Sequence, residues 1–179
     1  MIIFETERLV VRQFTMDDAN EFFRMNSDPD VMQYIRPVKN QQETDHFLQA
    51  NIQLYQQQPL YGRWLVAEKS TGQFVGSFAL IPIEGTDKMQ IGYSLMPEYW
   101  GKGYATELTI EGLKYVFTKT TISIIYGVTE EPNTGSQNVL LKAGFKEDEV
   151  FMEGQKRLLR YMLEKEQWEK EQAEGYWKD

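Results

Sequence analysis

The sequence predicts an α+β domain, one mixed but mostly antiparallel sheet of about seven strands flanked by helices. Three observations carry this expectation. Short runs rich in β-branched and aromatic residues recur between Gly, Asn, Asp and Ser turns. Stretches with helical apolar spacing stand before and after a block of such strands. No repeat, linker or cysteine-rich segment divides the 179 residues, so residues 1–179 are expected to share one core as a single domain.

Residues 6–14 read as the opening strand, with Leu9 and Val11 on one face. Thr15 is an N-cap residue, and Asp17 and Asp18 favour the positive end of a helix. Ala19, Phe22, Phe23 and Asn26 then recur on an inward face. Asp28-Pro29 opens a short helical turn that Pro37 closes. A longer helix over residues 41–57 places Phe47, Ala50, Asn51 and Leu54 at helical spacing. Strands over 63–69, 73–84 and 88–95 form an antiparallel meander, joined by Ser70-Thr71-Gly72 and Gly85-Thr86-Asp87.

A helix over 103–118 carries Ala105, Leu108, Thr109, Gly112 and Val116 on one stripe. Residues 122–129 are a strand, and a polar turn leads to a helix ending at Lys142-Ala143, with Gly144 as its left-handed cap. Residues 147–153 and 157–163 form a hairpin across Gly154, and the charged tail from Glu164 is a helix anchored by Trp168.

Charge and composition narrow the function. A formal charge of −8 argues against nucleic acid as partner, since duplex binding needs a basic face. An anionic ligand must then be held by backbone dipoles and a few lysines. Such a surface mildly favours a cationic amine, or serves solubility alone. The absence of cysteine excludes disulfides, thiolate zinc sites and cysteine nucleophiles, and no metal is expected. No apolar run approaches the ~20 residues of a membrane helix, and the N-terminus meets charge at Glu5, unlike a signal peptide. A cytoplasmic protein without membrane contact, monomer or homodimer, is expected. His46, the single histidine, falls on the polar side of its helix and reads as a surface residue.

The glycine turn Gly101-Lys102-Gly103, between a strand and a helix, is the strongest local signal. Glycines at a helix start let an anion approach unpaired N–H groups. A P-loop would need Gly where Met96 stands and Ser or Thr where Gly103 stands. A dinucleotide fingerprint would need a small residue at Thr106 and parallel strand-helix units before the glycines, not a meander. An ordinary glycine turn remains open on the glycines alone.

The whole segment Trp100-Gly101-Lys102-Gly103-Tyr104-Ala105 resembles the acyl-CoA-binding signature of the GNAT N-acetyltransferases, Arg/Gln-x-x-Gly-x-Gly/Ala. Thr6-Glu7-Arg8-Leu9 with Arg12 is similar to the opening strand of the branch containing the ribosomal-protein N-terminal acetyltransferases. Asn133-x-x-Ser136, followed by Lys142-x-Gly144-Phe145, resembles that branch's second cofactor helix. The resemblance covers nearly the whole chain. Trp100 departs from the usual Arg or Gln, although the branch commonly has Trp-Gly there.

The resemblance implies the GNAT fold, in which the strand ending at Leu95 and the next one splay apart. It implies acetyl-CoA as co-substrate, its pantetheine arm bonded to Ser94, Leu95 and Met96 as an added strand. The diphosphate would sit on N–H groups from Gly101 through Lys102, Gly103, Tyr104 and Ala105 to Thr106. Asn133 is similar to the residue bonding the pantetheine arm, and Ser136 would lie beside the sulfur as general acid; on turn chemistry alone both read as a helix cap. Lys142 either reaches a phosphate or is a solvated surface lysine. The family's tyrosine acid falls at Leu140, and its glutamate base falls at Gln90. Glu84 is the alternative base, with an exposed strand-end carboxylate as its plainer identity. Phe22, Phe23, Tyr34 and Trp64 are candidates to line the acceptor pocket or simply to pack, and Asp28 and Glu43 to meet a cationic acceptor or to cap helices. The implied acceptor is an amine, with a peptide N-terminus first, a small amine second, and a non-catalytic acyl-CoA sensor as the non-enzyme reading.

Overall fold

The computed structural model describes residues 1–175. Its strands are β1 Ile2–Glu5, β2 Leu9–Gln13, β3 Gly62–Glu68, β4 Phe74–Pro82, β5 Met89–Leu95, β6 Ile124–Glu130, β7 Lys146–Glu153 and β8 Lys156–Glu164. Its α-helices are α1 Ala19–Ser27, α2 Pro29–Met32, α3 Gln41–Gln57, α4 Tyr104–Lys119, α5 Thr134–Lys142 and α6 Lys165–Ala173. All eight strands join one sheet in the order β1-β2-β3-β4-β5-β6-β8-β7. Among the described residues only β5 and β6 run parallel, and α4 supplies the crossover that a parallel pair requires.

Local chemistry starts and stops these elements as expected. Asn40 and Glu43 form a reciprocal capping box on α3. Asp28 caps α2 by accepting from Asp30 N–H and Val31 N–H, so both acidic residues serve helix starts. Gly144, at φ 84°, ends α5. Trp168 of α6 packs on Phe117 of α4, ring centroids 5.3 Å apart.

Three expectations change. The sheet has eight strands, because Ile2–Glu5 folds back on β2 with Phe4 opposite Val11. On α3 the buried stripe is Thr44, Leu48, Asn51 and Tyr55, and Leu54 is exposed. The polar members decide that rotation: Asn51 Nδ2 and the Tyr55 hydroxyl both donate to the Arg63 carbonyl of β3. Finally, β4 ends at Pro82, which leaves Glu84 exposed in the β4–β5 turn.

The helices divide between the two faces of the sheet. On one face, α4 lies so close that a Cβ on Gly112 would meet the Phe78 ring at 2.4 Å. α5 covers the same face of β6, where Gly127 makes room for Leu140. α1, α2 and α3 lie on the opposite face, α2 against β5. Trp64 and Phe22 are both fully buried, Trp64 against Tyr115 of α4 and Phe22 against Phe14. They are core residues and do not line an acceptor pocket.

Candidate active site

The sheet opens where its one parallel pair begins. β5 and β6 are in register at Gln90 and Tyr126 alone, although each is paired along its length on its other side. Met96 N–H donates to Val75 O at 2.9 Å. In an antiparallel ladder this fixes the alternation: Ser94 and Met96 turn their backbone groups to β4, while Tyr93 and Leu95 turn theirs to the gap. Glu131 N–H on Arg157 O fixes β6 likewise, so Val128 and Glu130 face β5 across the opening. The expectation that Ser94, Leu95 and Met96 all offer backbone groups is therefore corrected to Leu95, joined by Tyr93.

The Leu95 carbonyl is also engaged. Trp100 Nε1 donates to it at 2.7 Å, which ties the glycine turn to the end of β5. Nothing in the resemblance points to this contact, because it assigns the turn a purely backbone role.

Past Trp100 the chain makes a cradle. Gly101 and Gly103 take φ values of 71° and 78°, a left-handed conformation that side chains resist. Among the described residues, the N–H groups of Gly101, Lys102, Gly103, Tyr104, Ala105 and Thr106 meet no acceptor, and the first α4 bond runs from Glu107 N–H to Gly103 O. Unpaired donors of this kind are the ordinary property of a helix start; here they extend into the turn before it. A Cβ on Gly101 would meet nothing within 4 Å, so the cradle opens outward. The residues present thus suit a diphosphate, as the resemblance implies.

The cradle is braced from the turn between β1 and β2. Arg8 Nη1 donates to the Lys102 carbonyl at 3.0 Å and Arg8 Nε to Glu107 at 2.6 Å, with its guanidinium 4.3 Å from the Tyr104 ring centre. Glu107 also accepts from Thr6 Oγ1 and Arg8 N–H. Burial raises the Glu107 carboxyl, but these donors outweigh it and hold the group below the usual carboxylate range. Lys102 reaches back over the Tyr99 ring at 5.2 Å.

Asn133 caps α5, its Oδ1 accepting from Ser136 N–H at 3.2 Å. That cap holds Ser136 in the first turn, beside the Tyr93 phenol of β5. Burial pushes the Tyr93 phenol up, and the facing Ser136 hydroxyl draws it part of the way back. Tyr93 is opposite Phe78, which packs on α4, so its side chain lies on the same side of the sheet as α5 and Ser136. Tyr93 was missed because the resemblance places the tyrosine acid on the second helix, where Leu140 is buried against Gly127.

The remaining candidates separate from the gap. Lys142 is exposed in the last turn of α5, about 9 Å along the helix from Ser136. Glu84 is exposed in the turn before β5, at the end of that strand away from the cradle. His46 is exposed on α3. A cavity of about 500 Å³ lies between α1 and the sheet. Its charges pair with one another, Arg12 with Asp18 and Arg24 with Glu21 and Glu98, although the buried Glu21 Oε2 accepts no hydrogen bond.

Residues 8–146 match the acetyltransferase (GNAT) domain family. An acetyltransferase of the GNAT family from Bacillus anthracis is 27% identical and has a TM-score of 0.80, the match covering 93% of this chain and 99% of that one. RimL, a ribosomal-protein alpha-N-protein acetyltransferase solved with coenzyme A, has a TM-score of 0.79 at 18% identity, covering 92% and 98%. A spermidine N-acetyltransferase from Vibrio cholerae, solved with CoA and spermine, has a TM-score of 0.72 at 21% identity, covering 89% and 97%. With the parted strands and the glycine cradle, these matches place the chain in the GNAT family, as an acetyl-CoA-dependent N-acetyltransferase.

Proposed function

We propose that the protein acetylates the α-amine of a peptide or protein N-terminus. The observation that carries this reading is the run of unpaired N–H groups from Gly101 to Thr106, at the end of a strand whose parallel neighbour has parted from it. The cradle would hold the diphosphate, and the Leu95 N–H facing the gap would bond the pantetheine arm. Asn133 has its Nδ2 left for the same arm once its Oδ1 caps α5. When bound, acetyl-CoA supplies a thioester whose C–S bond breaks as the N–C bond to the amine forms, one proton leaving the amine and one reaching the sulfur.

On this reading the Ser136 hydroxyl, in the first turn of α5, would give the departing sulfur its proton, with Tyr93 in support. A thiol has an ordinary pKa of about 8.5, so modest help suffices. Gln90 stands where the resemblance puts the family's glutamate. An α-amine titrates near 8 and is about a tenth neutral at pH 7, whereas a lysine side chain is almost wholly charged. A site without a strong base suits the former. A small amine is the second reading, favoured by the likeness in fold to the spermidine enzyme.

A thiol-release assay with acetyl-CoA tests both, using N-terminally free peptides, the same peptides blocked at the N-terminus but carrying lysine, and spermidine. Release with free α-amines is expected. Release with blocked lysine peptides or spermidine alone would overturn the N-terminal reading.

A further inference from the structure

The chain contains seven arginines, and five of them, Arg8, Arg12, Arg24, Arg157 and Arg160, pair with carboxylates. Arg36 and Arg63 do not, among the described residues, and both are half-buried. Arg36 follows α2 and Arg63 stands on β3. Their guanidinium centres lie 5.0 and 5.5 Å from one ring, Phe47 of α3, and Lys39 Nζ joins them at 5.7 Å. Arg36 gives one N–H to Asn26 Oδ1 at 3.0 Å, while its buried Nε–H has no partner.

Position gives this cluster its meaning. Arg63 is opposite Ala79, and Ala79 is opposite Gly92 of β5. These three side-chain positions share the sheet face that α1, α2 and α3 cover, opposite to the cradle and α5. A Cβ on Gly92 would meet nothing within 4 Å. The row therefore runs from a cation, over a small residue, to open space beside the gap. Two strand spacings make it roughly 10 Å long. On the same face Tyr126, across the gap, has Lys88 Nζ at 5.6 Å.

We infer that the acceptor is an amine that also carries a carboxylate, which Arg36 and Arg63 bind while the amine lies over Gly92 at the gap. The inference rests on the acetyl-transfer reading of the gap and names its substrate class. It reverses what the net charge of −8 suggests, because the acidic surface surrounds a cationic interior. Unpaired buried cations are costly to a fold, and a bound carboxylate would supply the missing partner through charge-assisted, two-pronged bonds. Burial, followed by the neighbouring Arg63, lowers the Arg36 pKa to about 10. The carboxylate has two sources, the first side chain of a peptide or a free amino acid.

The test measures kcat and KM by thiol release for matched peptides beginning Asp or Asn, and Glu or Gln, with free aspartate and glutamate as a second arm. Peptides with the acidic first residue are expected to exceed their amides in kcat/KM on the order of tenfold or more. Arg63→Gln and Arg36→Gln should erase that preference, mainly through KM, and Arg63→Lys should restore part of it. Turnover of free amino acids with indifference to the peptides would assign the carboxylate to a small acceptor. Equal turnover of acid and amide, or a preference that survives in both variants, overturns the inference and leaves acetyl transfer standing. Absence of turnover with every acceptor, including lysine peptides and spermidine, overturns both. Because each substitution removes an unpaired buried charge, an unchanged or raised melting temperature confirms that the variants are folded.

Discussion

Trp100 donates its indole N–H to the Leu95 carbonyl at 2.7 Å, so the aromatic residue of the signature turn is hydrogen-bonded to the strand end that faces the gap. Trp100→Phe keeps the ring and removes that bond. A loss of about 1 kcal/mol in urea-denaturation stability is expected, along with severalfold weaker acetyl-CoA binding by calorimetry as the turn loosens. Unchanged binding would show that the turn holds its geometry without the tether.

The cradle itself is tested at Gly101. Alanine there keeps an open neighbourhood but must adopt φ 71°, at a cost of about 1–2 kcal/mol. If the unpaired N–H groups grip the diphosphate, Gly101→Ala and Gly103→Val weaken acetyl-CoA by tenfold or more, with the circular-dichroism spectrum unchanged. Wild-type affinity in both variants would displace the site from this helix end.

Ser136 and Tyr93 are predicted to act as a unit. Ser136→Ala should lower kcat by roughly ten- to a hundredfold with little change in acetyl-CoA affinity. Tyr93→Phe should lower it less, and the double variant should match Ser136→Ala instead of multiplying the two losses. Full activity in both single variants would end the assignment.

Gln90 stands opposite Tyr126 at the mouth of the gap. Without a base there, kcat/KM should rise tenfold per pH unit below the amine's own pKa, simply following its neutral fraction. Gln90→Glu should lift the low-pH limb and flatten that slope between pH 6 and 8. An unaltered profile would mean that the position does not reach the amine.

Stability at high pH follows from Tyr115. Burial pushes its phenol up to about 12, and the hydroxyl donates to Leu60 O at 3.1 Å. The folded chain therefore holds a proton that the unfolded chain releases near pH 10. This contribution is complete below pH 10 and is lost as pH rises towards 12, on the order of 3 kcal/mol. Melting temperature should fall across that window, and Tyr115→Phe should fall less.

Much of this could be read along the chain, because periodicity, caps and turn residues are local. The 41–57 helix and the meander 63–95 lie where expected. What escaped is decided across the sheet. β1 earns its place only by pairing with β2, and α3 turns by one residue because Asn51 and Tyr55 seek the Arg63 carbonyl. The glycine turn was legible because its residues are consecutive. The Tyr93–Ser136 and Arg36–Arg63 pairs join distant segments, and nothing in their spacing announces them.

The opening between β5 and β6 passes through the sheet, with α4 and α5 on one side and α1 to α3 on the other. Donor and acceptor therefore need not share an entrance. Each could then arrive while the other is seated, and under the proposed direct attack the acetyl group would pass between them in a ternary complex. No side chain need carry it in transit, which suits a chain without a single thiol.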